Sequence, residues 1–169
     1  MVAGAEPPIA RPSVRWSRLV RRIALRFARL PAARKMLVVE ATLWLALARL
    51  ALLAVPFRHL AERFGTVASP QGVSNLPGLS EPQGATARDV GWAVTRAARY
   101  VPFRAVCLPQ AIAAKAMLDR RDVPSTMHFG VKKPSDGAAL FAHAWLDAGT
   151  IEVTGYPVEE GFVEVVRFV

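Results

Sequence analysis

The chain holds one cysteine, Cys107, and three histidines, His59, His128 and His143. A lone thiol forms no internal disulfide and seeds no Cys-rich zinc site, so Cys107 is either small buried filler or a group that reacts. Its setting favours reaction. From Cys107 to Asp119 the sequence reads as a helix, with Pro109 in the first turn, where a missing N–H costs nothing. A cysteine that opens a helix has free backbone N–H groups and the positive end of the helix dipole beside its sulfur, and both stabilise a thiolate. His143 falls in a strand-like run downstream, from which an imidazole can exchange a proton with that thiolate. The N–H groups at the helix start, that of Cys107 included, offer an oxyanion hole for a tetrahedral intermediate. The chemistry implied is acyl chemistry through a thioester, with histidine acting first as base and then as acid.

A third residue is expected to orient the imidazole. If Ala148-Gly149 is a two-residue hairpin turn, Asp147 pairs with Thr150, Trp145 with Glu152, and His143 with Thr154. All six then share one face of the hairpin. Glu152 lies one diagonal step from His143, roughly 7–8 Å between backbones and within reach of a long side chain. Asp147 lies on the same face, roughly 13 Å along the strand from His143. The expected orienter is therefore Glu152, with the Thr154 hydroxyl second and Asp147 third. Glu152 reads equally well as a solvated strand residue, and a one-residue change in the turn would flip the face.

The remaining polar residues carry less. His128 reads as a partly buried strand histidine and His59 as a helix surface residue. Trp145 is either a wall of a substrate groove or a core residue, Gln110 a weak candidate oxyanion donor, and Lys132-Lys133 either a dock for an acidic peptide or a solubilising turn. Scattered histidines without a partner cysteine or carboxylate pair argue against a metal, and no Gly-rich phosphate loop is present, so no cofactor is expected.

The elements that must position these residues follow from periodicity. Residues 1–13 read as a flexible tail. From Val14 to Leu30, Trp16, Leu19, Val20, Ile23, Leu25 and Phe27 alternate with arginines at near-helical spacing. A second helix is expected over Ala32–Val55 and a short one over Phe57–Phe64, capped by Gly65. Residues 66–85 are crowded with Pro, Gly, Ser and Gln and read as a linker or long loop. Thr86-Ala-Arg-Asp89 resembles a capping box that opens a helix to Tyr100. After the Cys107 helix the pattern turns to period two: strands are expected over Thr126–Val131, Leu140–Asp147, Thr150–Gly155 and Gly161–Val169, joined as an antiparallel meander with a basic turn over Lys132–Gly137. Helices first and strands after make an α+β chain. The division is a basic helical region over 1–65, a linker over 66–85 and a catalytic core over 86–169.

Charge is concentrated at one end. Residues 1–65 hold twelve Arg and Lys against three Glu, a net of +9, while the rest of the chain is balanced at ten of each sign. Such a patch fits an acidic partner surface or solubilises an Ala/Leu-rich helix. Nucleic acid is not expected, because neither aromatic interleaving nor a known motif accompanies the charge. The Pro-rich start lacks the pattern of an export signal, and the cytoplasm is the expected location. The apolar run Met36–Pro56 is interrupted by Glu40 and Arg49, and a charge at mid-helix costs roughly 2.5–3.5 kcal/mol on insertion. It reads as a buried helix of a soluble protein, with room for peripheral membrane contact.

The runs Cys107-Leu-Pro-Gln through Asp119-Arg-Arg-Asp-Val-Pro124, His128-Phe-Gly-Val131 and Phe141-Ala-His-Ala-Trp-Leu-Asp147 together are similar to the transglutaminase-like leader peptidases of lasso-peptide biosynthesis. The resemblance covers residues 86–169. It implies a papain/transglutaminase-like core, in which a helix carrying the cysteine packs on an antiparallel sheet, with an N-terminal helical extension. It also implies a cysteine endopeptidase that removes the leader from a ribosomally made precursor peptide, aided by a separate leader-recognition protein and followed by a lasso cyclase. The family places an acid opposite the histidine, where this chain has Thr154. Acyl transfer to an amine, or a peptide-binding module with a degenerate site, are the alternative readings.

Overall fold

A computed structural model of the chain describes residues 25, 27–62, 64–68, 78–133 and 139–169. The chain divides into two compact units, Met1–Lys35 and Met36–Val169. In the first, only Leu25 and residues 27–35 are described: helical residues at 25, 27 and 28, a break at Leu30–Pro31, and the start of helix α1 (Ala32–Ala54). The tail expected over 1–13 and most of the amphipathic helix expected over 14–30 lie outside the described residues.

The second unit holds the rest of α1, a short helix α2 (Phe57–Ala61), strand β1 (Val67–Ala68), helices α3 (Glu81–Ala98) and α4 (Cys107–Asp119), and strands β2 (Thr126–Lys132), β3 (Phe141–Ala148), β4 (Ile151–Thr154) and β5 (Val163–Phe168). Helices packed on an antiparallel sheet make it α+β, as the periodicity predicts. The strand order is β1-β5-β2-β3-β4, so the sheet is not a plain meander. After β4 the chain crosses back and inserts β5 between β1 and β2, leaving β4 as an edge.

Three boundaries differ from expectation. The helix expected to open at Thr86 opens five residues earlier: Ser80 accepts from the Gln83 backbone while the Gln83 side chain accepts from Ser80, and Pro82 sits in the first turn. That capping box outranks the Thr86 one, and Thr86 Oγ1 instead donates back to the Pro82 carbonyl at 2.9 Å. Within the expected linker, Val67 and Ala68 pair with Phe168 and Arg167 as a short strand. The short helix after Pro56 ends at Ala61, with Glu62 rather than Gly65 as its cap.

Alternation sorts the sheet into two faces. Met127 and Phe129 share a face with Leu146, Ala144 and Phe168, and this face meets the helices. Val90 and Val94 of α3 and Met117 and Leu118 of α4 are fully buried there with Met127 and Leu146. Edge-to-face rings close one end: Phe57 against Phe129 at 5.6 Å and Phe64 against Phe168 at 5.8 Å. A Cβ at Gly91 would lie 2.6 Å from the Val153 carbonyl, so the missing side chain is what lets α3 press on β4.

Helix α1 is not the buried helix its hydropathy suggests. Val38, Ala41, Leu45 and Ala48 are buried along one side, and Glu40 forms a two-point ion pair with Arg121 at 3.0 and 2.6 Å just beyond α4. The opposite side, from Met36 to Leu53, stands in solvent. Apolar residues run all round this helix, but only one face has a core to meet. Among the described residues it is also the helix long and apolar enough to cross a bilayer.

Candidate functional site

Cys107 is the first residue of α4 and is half-buried. The residue before it, Val106, has no side-chain oxygen to cap the helix, and Pro109 contributes no N–H. The backbone donors of Cys107 and Leu108 therefore face outward at the sulfur, the arrangement expected of an oxyanion hole. Gln110 does not join them: its side-chain amide donates to the Ala105 carbonyl at 2.7 Å and ties the incoming loop to the helix. The helix behind is lined with Ala111, Ala113 and Ala114, all fully buried, which lets it lie close on β3 and β4.

The two long helices meet where one starts and the other ends. Gln83 donates to the Asp122 carbonyl at 3.0 Å, so the start of α3 lies beside the end of α4. Gly84 sits against Ile151 and Gly91 against Val153, so α3 follows β4 from its first residue to its last. Helix α3 thus runs along β4 toward its Thr154–Gly155 end. His143 is at that same end, its Nε2 donating to the Gly155 carbonyl at 2.6 Å. Among the described residues no hydrogen bond joins the Cys107 sulfur to His143.

The bond to Gly155 decides which nitrogen can act. A carbonyl only accepts, so Nε2 carries the proton and Nδ1 is left with the lone pair of the neutral ring. Gly155 itself is held at φ +86, and a Cβ there would meet the Ala144 carbonyl at 2.5 Å and Trp145 Cα at 2.8 Å. Only glycine lets the chain turn against β3 and aim this carbonyl at the ring. The ring is further fixed by Trp145, stacked at 5.9 Å and 20°, and by Phe162 at 5.4 Å. Beside it opens a cavity of about 390 Å³ walled by Phe141, Ala142, Pro157 and Phe162, with Lys132 and Glu159 at its rim.

The orienter expected from the hairpin is displaced. The turn lies at Gly149-Thr150 rather than Ala148-Gly149, so Ala148 pairs with Ile151 and Asp147 with Glu152, and a bulge then sets Leu146 opposite Thr154. Moving the turn by one residue shifts the pairing by two, and the bulge adds a third, enough to take Glu152 and Thr154 away from His143. Glu152 is exposed in a groove with Arg88, Trp92, Arg96 and Arg99 from α3. Thr154 is buried, and its hydroxyl has no hydrogen-bond partner among the described residues. Asp147 is committed elsewhere. The Tyr156 hydroxyl donates to it, and its second oxygen lies 3.1 Å from His128 Nε2.

That second histidine is the centre of a network the sequence does not reveal. His128 Nδ1 lies 2.8 Å from Glu164, which also accepts from Arg167 at 2.8 and 2.9 Å. Its ring also stacks on Trp145 at 5.3 Å, nearly parallel. Burial alone would depress this imidazole, but the Asp147 and Glu164 carboxylates outweigh that and hold it above its ordinary pKa. Burial and the bond to Asp147 push the Tyr156 phenol up in turn. His128 therefore reads as a brace joining β2, β3 and β5, in line with a buried strand histidine. Alternation alone marks His128, Trp145 and Asp147 as sharing a face, but their pairing needs the register.

A family model described as the transglutaminase-like superfamily matches residues 51–167. The chain belongs to the transglutaminase-like superfamily. The match spans the Cys107 helix and all five strands, and it begins within α1, well ahead of residue 86 where the sequence resemblance starts. Cysteine-dependent enzymes are general in this superfamily. No curated protein and no solved structure matches the chain.

Proposed function

We propose that this transglutaminase-like protein is a cysteine endopeptidase that removes the leader from a ribosomally made lasso-peptide precursor. The observation that supports the reading is an uncapped helix opened by Cys107, in a chain whose strand histidine His143 donates from Nε2 to Gly155 and keeps a lone pair on Nδ1. His143 Nδ1 takes the thiol proton, and the thiolate attacks the scissile carbonyl while the N–H groups of Cys107 and Leu108 receive the oxyanion. The imidazolium then returns its proton to the leaving amine, and water releases the thioester by the reverse roles. The Gly155 carbonyl does the orienting work that an acid does elsewhere. The groove walled by Phe141 and Phe162 suits an apolar side chain beside the cleaved bond.

The partners that go with this reading are the precursor peptide, a separate leader-recognition protein that docks on the basic N-terminal region, and a lasso cyclase that takes the product. The test is incubation of the purified protein with a lasso precursor and its leader-recognition protein, followed by mass analysis of the peptide. Cleavage that disappears in Cys107→Ala and in His143→Ala, with unfolding midpoints unchanged, is the expected result. Full cleavage by Cys107→Ala would overturn it. Adding a primary amine separates hydrolysis from acyl transfer, because a transferase yields a product heavier by the amine less water.

A further inference from the structure

The outward face of α1 carries more exposed large apolar side chains than any other described element, and its spacing is informative. Met36, Val39, Leu43, Ala46, Leu50 and Leu53 recur at alternating steps of three and four, the a and d positions of successive heptads. Met36, Leu43, Leu50 and Leu53 are 74, 61, 61 and 68% exposed, so the stripe is open over its whole length. The buried residues Val38, Ala41, Leu45 and Ala48 lie on the opposite side of the helix. A period of 3.5 residues fits another helix, whereas a helix lying on a bilayer keeps the 3.6 period and a basic opposite face. The opposite face of α1 is instead spent on the protein's own core.

We propose that this stripe is the seam of an antiparallel, two-fold symmetric dimer of the chain. In antiparallel pairing an a position meets a d position of the second copy, and the stripe is its own complement. Met36 meets Leu53, Val39 meets Leu50, and at the centre Leu43 fits over Ala46. The small residue beside the large one lets the helices approach closely where the axis passes. Charge agrees with the direction. Arg34 and Lys35 stand at one end of α1. Parallel pairing would bring both copies of these cations together with like ends of the helix dipoles, while antiparallel pairing holds them roughly 30 Å apart. Glu40, which borders the stripe, is already neutralised by Arg121 within its own chain. The exposed parts of these side chains, with Leu47 adjoining, amount to roughly 600 Å² per copy, near the lower bound for a specific interface, so a dimer of moderate affinity is expected.

The test uses the full chain. Sedimentation across the micromolar range should show a mass that doubles with concentration, and Leu43→Glu should hold it at the monomer mass with an unchanged unfolding midpoint. In a Cys107→Ala background, Met36→Cys and Leu53→Cys should each stay uncrosslinked alone and form a disulfide-linked dimer when mixed. A wild-type mass that stays monomeric throughout would overturn the proposal. Crosslinking by Met36→Cys alone would overturn it too, since that reports parallel helices. So would concentration-independent monomers that bind anionic vesicles through Leu43, which would assign the stripe to a lipid surface.

Discussion

His128 and His143 stand two strand positions apart in function as well as in space. Both stack on Trp145, yet one faces two carboxylates and the other a single carbonyl. Carboxylates favour the charged ring, and a carbonyl accepts a proton without demanding one. That contrast raises the His128 pKa above its ordinary value, while His143 keeps one donated proton on Nε2 and a lone pair on Nδ1. The folded-state pKa of His128 is raised, so its stabilisation is complete below the ordinary value near 6.5 and is lost as pH rises through the folded value. His128→Gln should cost about 1–3 kcal/mol at about pH 5.5, leaving two carboxylates facing each other. Urea midpoints of the two proteins should then converge as pH rises above the raised folded value. A gap that stays constant with pH would mean that the charge on His128 plays no part.

At the scale of elements, the loop after β4 positions the site more than any strand does. Gly155 lies against Ala144 and Trp145 and supplies the carbonyl that His143 needs. Gly155→Ala should therefore displace that carbonyl and lower the cleavage rate about 10- to 100-fold. The ¹⁵N shifts of His143 should report a mixed tautomer in place of the Nε2–H form. Unchanged kinetics with an unchanged tautomer would exclude the carbonyl as orienter. This is also where sequence reading reaches its limit. Cys107 and His143 are legible because rare residue types stand at a helix start and in a strand, and the α+β order follows from the change of period. The orienter is not legible, because a backbone carbonyl has no letter, and because a turn at Gly149-Thr150 instead of one residue earlier moves Glu152 and Thr154 together. The helix start at Glu81 was masked by composition: Pro82 and Gly84 look like loop residues, yet Pro82 suits a first turn and Gly84 is buried against Ile151.

For the whole molecule, the family boundary and the physical boundary do not coincide. The matched region begins at residue 51, but Leu45 and Ala41, earlier on α1, are fully buried, and Glu40 reaches Arg121 at the far end of α4. Removing residues 1–50 should therefore destabilise the core by at least the roughly 2–5 kcal/mol of one large core truncation. Removing residues 1–35 should leave the urea midpoint near that of the full chain. Equal midpoints for the two truncations would show that α1 is dispensable to the fold. The stack His128–Trp145–His143 has a different kind of use. It is an indole stacked against two imidazoles, on a sheet that also carries the proposed site. Protonated imidazole lying flat on an indole dims its emission. A variant that keeps Trp145 as its only fluorophore of this type, with Trp16, Trp44 and Trp92 replaced by Phe, would glow according to the proton state of its two neighbours. The protein thus contains a lamp whose brightness would follow His143 through a turnover, with no label attached.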